Sequence, residues 1–107
     1  MTKKTQIVAV QTTVSSEKDA FDLAGKVVAS CAGACAQYFP IKSVYRWKGK
    51  TENAKEFMLV CKTPAGKAKK LVEFIKKNHK YALPEIIVLE INGGYGPYLK
   101  WVEKETR

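Results

Sequence analysis

The first part of the chain changes from a strand-like to a helix-like pattern of apolar residues. Residues 5–13 form a β-branched run that predicts a first strand. A helical period follows, and Ser16 with Asp19 has the spacing of a capping box at the start of that helix. The buried stripe predicted for this helix consists of Ala20, Leu23, Ala24, Val27, Val28 and Cys31.

The middle of the chain predicts a hairpin. Pro40 stands where a strand tolerates it, at the beginning, and residues 41–48 continue with a period of two. A turn at residues 49–53 leads to a third strand at residues 55–63. One face of this third strand carries Phe57, Leu59 and Cys61. Strands two and three are therefore predicted to be antiparallel neighbours.

A second helix and a fourth strand follow. Thr63 and Pro64 are typical of an N-cap and a first-turn proline. The apolar stripe of this helix consists of Ala68, Leu71, Val72, Ile75 and His79. Pro84 stops any continuation, residues 85–91 predict a strand, and a glycine cluster separates that strand from a short terminal piece at residues 97–107.

The resulting order is β-α-β-β-α-β, which predicts an α+β, ferredoxin-like fold in a single domain, residues 1–107. Right-handed crossovers place both helices on one face of the antiparallel sheet. The other face must then be covered by the tail, a ligand or a second copy of the chain. Tyr45 and Trp47 share one face of the second strand, so we expect them to lie in an interface between subunits.

The charge adds a general attraction for anions. The chain has 19 Lys and Arg against 10 Asp and Glu, a formal net charge of +9. The lysines are spread along the chain and only two arginines are present, so the composition favours a solvated basic surface over nucleic-acid recognition.

The cysteines and the amino end bear on the compartment. Three cysteines is an odd number for a disulfide framework, and the apolar run near the amino end is too short for a signal peptide. No segment is long and apolar enough to span a membrane. Reduced thiols in a cytoplasmic protein are the expectation.

Few residues are suited to catalysis. His79 is the only histidine, and Cys35 with His79 is the only conceivable nucleophile and base, with no third group in view. A non-catalytic protein is predicted. Cys31 and Cys61 lie on apolar stripes, and packing is the favoured interpretation of both.

Several motifs resemble the CutA family of divalent-cation tolerance proteins. They are "SVYRWKGK" at residues 43–50, Lys62 with Thr63, "HKYALPEI" at residues 79–86 and "YLKWV" at residues 98–102. The resemblance runs from about Thr12 to Val102. It implies a homotrimer of ferredoxin-like subunits, in which long β2–β3 hairpins reach across to neighbouring subunits, and a function in tolerance and binding of copper and other divalent ions.

The resemblance also implies roles for individual residues. Cys35 matches the cysteine that ends the first helix in the family and His79 the histidine that ends the second, so both are candidate ligands of a weakly bound divalent cation such as Cu²⁺, with no obligatory cofactor. Lys80 and Ala82 depart from the family pattern and remove one potential carboxylate partner. The expected subunit interface includes Tyr45, Trp47, Tyr98 and Trp101.

An alternative function comes from the same trimeric plan. The nitrogen-regulatory PII proteins share it, and a PII-like module would hold a small anionic metabolite or nucleotide in the clefts between subunits. The lysine excess fits an anion somewhat better than a cation.

Overall fold

The computed structural model describes residues 6–107, which form one antiparallel sheet with helices on both faces. The elements are β1 (Ile7–Val14), α1 (Glu17–Ala29), β2 (Cys35–Trp47), β3 (Lys50–Pro64), a short 3-10 helix (Ala65–Lys67), α2 (Ala68–Lys77), β4 (Ile86–Glu90) and α3 (Gly96–Glu105). The strand order is β2-β3-β1-β4, with all neighbours antiparallel. The ferredoxin-like prediction is thus confirmed; its residue 5 lies outside the described residues.

The helices α1 and α2 cover one face of the sheet. Their apolar stripes meet the inward residues of β1 and β3 in a single cluster, which includes Val8, Val10, Val14, Ala20, Leu23, Val27, Leu59, Cys61, Leu71 and Ile75. The Ser16 side chain accepts a hydrogen bond from the backbone N–H of Asp19 at 3.1 Å, so the predicted N-cap of α1 is confirmed.

The terminal piece contains a helix, α3, which the sequence pattern did not predict. Pro97 lies in the first turn of α3, where its missing N–H costs no hydrogen bond. Val102 is fully buried in a second cluster with Ile7 and Ala34. Since Ile7 points to the face opposite Val8, α3 covers part of the second sheet face.

The hairpin is longer than predicted and its turn is tighter. The turn consists of Lys48 and Gly49, whose φ values are 51° and 78°, and β3 begins at Lys50, so the predicted turn at residues 49–53 is wrong. Two successive positive φ values are typical of a type I′ turn, which needs no further residues. Residues 50–53, which the sequence predicted to lie in the turn, therefore pair with β2 as part of β3.

Most of this added length projects beyond the rest of the sheet. β1 ends at Val14, which pairs with Phe57, so residues 41–56 form a two-stranded ribbon, and no third strand from residues 6–107 lies beside it. We call this ribbon the arm. It accounts for the elongated shape of the chain, whose longest dimension is 53 Å.

The predicted start of α2 is wrong. Thr63 is not an N-cap: β3 continues through Pro64, and the buried Thr63 hydroxyl donates to the Ala32 carbonyl at 3.0 Å. That bond holds Thr63 in the strand, and α2 starts five residues later, at Ala68.

No helix among residues 6–107 is long and apolar enough to cross a membrane.

Candidate functional site

Cys35 is the first residue of β2 rather than the end of a helix. It pairs with Lys62, which in turn pairs with Ala9, so its side chain points to the second sheet face. The thiol is partly exposed, and its Sγ lies 3.4 Å from the hydroxyl oxygen of Tyr98 on α3. A soft sulfur donor therefore sits beside an aromatic side chain, with access to solvent.

The surroundings of Cys35 are aromatic and cationic. The Tyr98 ring stacks on Trp101 with a centroid separation of 5.7 Å, and the Lys62 ammonium lies 5.9 Å from the Tyr98 centroid. The hydrogen bond with Cys35, together with partial burial, raises the pKa of Tyr98 to about 12. Tyr98 is therefore a neutral phenol at physiological pH, and Cys35 is the donor here that suits a soft metal ion.

His79 lies just beyond α2 and is fully engaged within its own chain. Its Nδ1 accepts the backbone N–H of Tyr81 at 3.1 Å, which leaves Nε2 as the donor to the carbonyl of Thr13 at 2.9 Å. The Thr12 hydroxyl oxygen is also 3.0 Å from Nε2. The ring thus joins the end of α2 to the end of β1, and a ligand role would require one of these bonds to open.

One subunit does not bring Cys35 and His79 together. Cys35 is level with Ala9 in the sheet register, and His79 binds Thr13, which is four residues further along β1, or about 13 Å at the usual rise of a strand. Within residues 6–107 there is also no group of three or more His, Cys, Asp or Glu side chains placed to hold an ion. The donors of a single chain therefore do not fit a three- or four-coordinate copper or zinc site.

The other two cysteines differ from one another. Cys61 is fully buried in the core, as predicted, and burial raises the pKa of its thiol to about 12. Cys31 is exposed, so its predicted core position is wrong. The helical period stops at Ala29, and Cys31 follows the C-cap Ser30 with a φ of 61°, which turns its side chain away from the stripe.

The four candidate interface residues are all partly open to solvent in one subunit. Tyr45 and Trp47 are 45% and 46% exposed on the arm, and Tyr98 and Trp101 are 38% and 41% exposed on α3. Side chains of this size carry large apolar areas, and the subunit itself covers only about half of each. Four large aromatic residues thus remain available for contact with another molecule.

The base of the arm is held by a contact that the sequence did not reveal. The Tyr81 hydroxyl donates to the Glu56 carboxylate at 2.9 Å. Burial is the main cause that raises the pKa of Tyr81 to about 12, and this hydrogen bond is the second cause. The proximity of Tyr98 to Cys35 was missed too, because α3 itself was not recognised. No periodic signal relates residues so far apart; only the motif "HKYALPEI" drew attention to Tyr81.

Nearly the whole chain is similar to proteins of one family. The family model described as "CutA1 divalent ion tolerance protein" matches residues 8–105. The chain is 38% identical over 104 residues to "Divalent-cation tolerance protein CutA" of Escherichia coli, covering 96% of this chain and 93% of that protein. It is 38% identical over 101 residues to "Protein CutA 1, chloroplastic" of Oryza sativa subsp. japonica, covering 94% of this chain but 57% of that longer protein.

Solved structures agree with the fold in detail. CutA1 from Oryza sativa superposes with a TM-score of 0.93 at 36% identity, covering 98% of both chains. The structure described as the periplasmic divalent cation tolerance protein CutA from Archaeoglobus fulgidus gives a TM-score of 0.91 at 30% identity, covering 94% of this chain and 99% of the other. Both the family model and the Escherichia coli relative are described by divalent ion or cation tolerance. The chain belongs to the CutA1 divalent ion tolerance protein family.

Proposed function

We propose that this protein is a non-catalytic homotrimer that binds a divalent cation weakly, copper foremost, and acts in ion tolerance. The observation that carries the metal part is the partly exposed thiol of Cys35, whose Sγ lies 3.4 Å from the Tyr98 hydroxyl oxygen. Thiolate sulfur favours copper over hard ions such as Mg²⁺ or Ca²⁺. Weak binding follows because one chain supplies too few donors.

The proposed ligands are Cys35 and His79, contributed by different subunits of the trimer. This arrangement is required because the two residues lie at different positions along the sheet of one subunit. Imidazole and thiolate together suit copper. Binding at His79 replaces its bond to the Tyr81 N–H or to Thr13, and this cost is a second reason for low affinity.

The trimer is supported by the surface that a single subunit leaves open. Phe39, Tyr45 and Trp47 lie on the second sheet face of β2, and each is between 45% and 49% exposed. Within the described part of the chain, the edge strands β2 and β4 each have a strand neighbour on one side alone, and natural proteins usually cover such edges. Each copy would use its arm to contact a different surface of the next, and a closed ring satisfies all copies at once.

Copper titration of the metal-stripped protein tests this proposal. Copper binding to the native state raises the melting temperature in proportion to the logarithm of free copper above its Kd. We expect Cys35→Ala to abolish the shift, and Cys31→Ala, which removes an exposed thiol outside the site, to preserve it. Equal shifts for wild type and Cys35→Ala would exclude Cys35 as a ligand.

The PII-like alternative is tested in the same experiment. The net charge of +9 is the observation that favours it. A nucleotide that raises the melting temperature when copper does not would replace the metal proposal with binding of an anionic metabolite between subunits.

A reducing compartment such as the cytoplasm remains our proposal for localisation. It is supported by the three cysteines, all of which are free thiols. Relatives carry different labels, chloroplastic for the Oryza sativa protein and periplasmic for the Archaeoglobus fulgidus structure. Cell fractionation with an antibody against the native protein would decide between these compartments.

A further inference from the structure

The two faces of the arm carry different charges. One face presents Lys42, Val44, Arg46, Thr51, Asn53 and Lys55, all of them exposed. We call it the basic face. The opposite face carries the aromatic residues Tyr45 and Trp47, both carboxylates of the arm, Glu52 and Glu56, and one cation, Lys50. The alternation of a strand therefore places three cations on the basic face with no acid among them.

Two of these cations are direct neighbours. Lys42 pairs with Lys55 in the register, so their side chains leave the ribbon about 5 Å apart on the same face. Like charges directly opposite each other destabilise a sheet. The ion pairs among residues 6–107 are Lys18 with Asp22, Lys80 with Asp19, and Arg107 with Glu103, so neither lysine has a carboxylate partner there.

The remaining groups extend this charge along the arm. Arg46 is four residues beyond Lys42 on the same face, or about 13 Å away. Its guanidinium makes one hydrogen bond of 3.4 Å to the Gly49 carbonyl, which leaves other N–H donors free. Asn53 and Thr51 lie between the lysine pair and the turn and add neutral hydrogen-bond donors.

We propose that the basic face of the arm binds a ligand with linked phosphate groups. The lysine pair neutralises one phosphate, and the distance to Arg46 favours a chain of phosphates over a single ion. Arg is suited to phosphate because its fork of N–H groups matches two oxygens at once. This site goes beyond the proposed metal function, since its charge is opposite, and it leaves the aromatic face of the arm free for subunit contacts.

The test compares tripolyphosphate binding by the wild type, Lys55→Gln and a control, Lys69→Gln, which removes the same charge from the exposed face of α2. Calorimetry at low salt should show that Lys55→Gln weakens binding about five- to tenfold. The slope of the logarithm of the binding constant against the logarithm of salt concentration should fall in magnitude by about one. Lys69→Gln should stay within about twofold of wild type. Without ligand, Lys55→Gln should melt at a higher temperature than wild type, because the like-charge pair is gone.

Further probes identify the source of the phosphates. If ATP and tripolyphosphate bind equally and both depend on Lys55, phosphates alone are recognised; tighter ATP binding with the same dependence means that a nucleotide is preferred. A short DNA duplex that alone shows the Lys55 dependence assigns the face to a nucleic-acid backbone, which also carries linked phosphates.

Three results would overturn the proposal. The first is equal weakening in Lys55→Gln and Lys69→Gln, which indicates general attraction to a basic protein. The second is no tripolyphosphate, ATP or duplex binding. The third is a lower melting temperature or a smaller assembly for Lys55→Gln without ligand, because the counter-charge then comes from a second copy. Light scattering on the same samples distinguishes the two proposals. A smaller assembly for Lys55→Gln alone contradicts the phosphate site, whereas a monomeric wild type contradicts the proposed trimer.

Discussion

At the scale of single residues, His79 illustrates how one side chain can serve several parts of the structure. Its ring contacts β1 through Thr12 and Thr13 and the loop after α2 through Tyr81, all within 3.1 Å. A position four residues after Ile75 on an apolar stripe predicted partial burial, which the structure confirms. The hydrogen-bond partners of His79 were not predictable, because Thr12 and Thr13 are distant from it in sequence and many polar groups can form hydrogen bonds with an imidazole.

His79→Ala should lower the free energy of unfolding by about 2–3 kcal/mol. The substitution removes the bonds to Thr13 and Tyr81, each worth about 1 kcal/mol net, and leaves the buried Thr12 hydroxyl without a partner. Denaturant titration at fixed protein concentration measures the change, with Lys77→Ala as the control, because Lys77 is exposed at the end of α2 and is in none of the ion pairs among residues 6–107. An unchanged melting temperature together with an unchanged copper response would contradict both the structural and the ligand role of His79.

Cys31→Gly should stabilise the protein by about 0.5–1 kcal/mol. Cys31 occupies the left-handed position of a Schellman motif, in which its N–H binds the Val28 carbonyl at 3.0 Å and the Ala32 N–H binds the Val27 carbonyl at 3.1 Å. Glycine adopts this conformation without the steric cost of a Cβ. Thermal melting checks the gain. Cys31→Ala keeps the Cβ and should show none; equal gains for both variants would argue against strain.

At the scale of elements, the apolar pattern predicted which strands and helices form the core, but it misplaced some of the residues at which they begin. The strands β1 to β3 and the two helices of the core were predictable because each has an apolar face with a clear period, and β4 because it is a short apolar run between Pro84 and the glycine cluster. The start of α2 was misplaced because Thr63 and Pro64 form a strong local signal that a distant partner, the Ala32 carbonyl, overrides. The helix α3 was missed because a glycine cluster precedes it and its buried residues are few.

The tight turn of the arm gives a prediction about the hairpin. Lys48 has a φ of 51°, a conformation that asparagine tolerates better than lysine, and it precedes Gly49. Lys48→Asn should therefore raise the free energy of unfolding by about 0.5 kcal/mol. The matched control is Lys50→Asn, which removes the same charge from the adjoining strand. A rise in melting temperature of similar size in both variants would indicate charge relief rather than turn geometry.

At the scale of the whole molecule, the arm and α3 leave a surface that one subunit does not cover. The sequence pointed to this surface through Tyr45 and Trp47, since two helices on one sheet face cannot bury both faces of a strand. It did not predict that one face of the arm would carry three cations and no carboxylate, because the turn was placed at residues 49–53 and the cross-strand pairs were therefore unknown.

Trp47→Asp should lower the assembly state and the melting temperature together. An aspartate on the aromatic face places a charge in the proposed contact between subunits, where its desolvation is unfavourable. Val44→Asp is the control, because Val44 is 75% exposed on the basic face of the same strand. Light scattering and thermal melting measure both effects. A wild-type protein that is monomeric at micromolar concentration would contradict the proposed trimer and every site built between subunits.

The central place of β1 in the sheet also determines when the fold can be completed during synthesis. β1 leaves the ribosome before both of its neighbours, β3 and β4, and its Val8 pairs with Glu90, which is 82 residues later. Such distant pairings make folding slow relative to proteins with local contacts. Until β4 emerges, a nascent chain exposes an apolar strand with one open edge. We therefore expect translation that stalls before residue 86 to leave an aggregation-prone intermediate that chaperones bind.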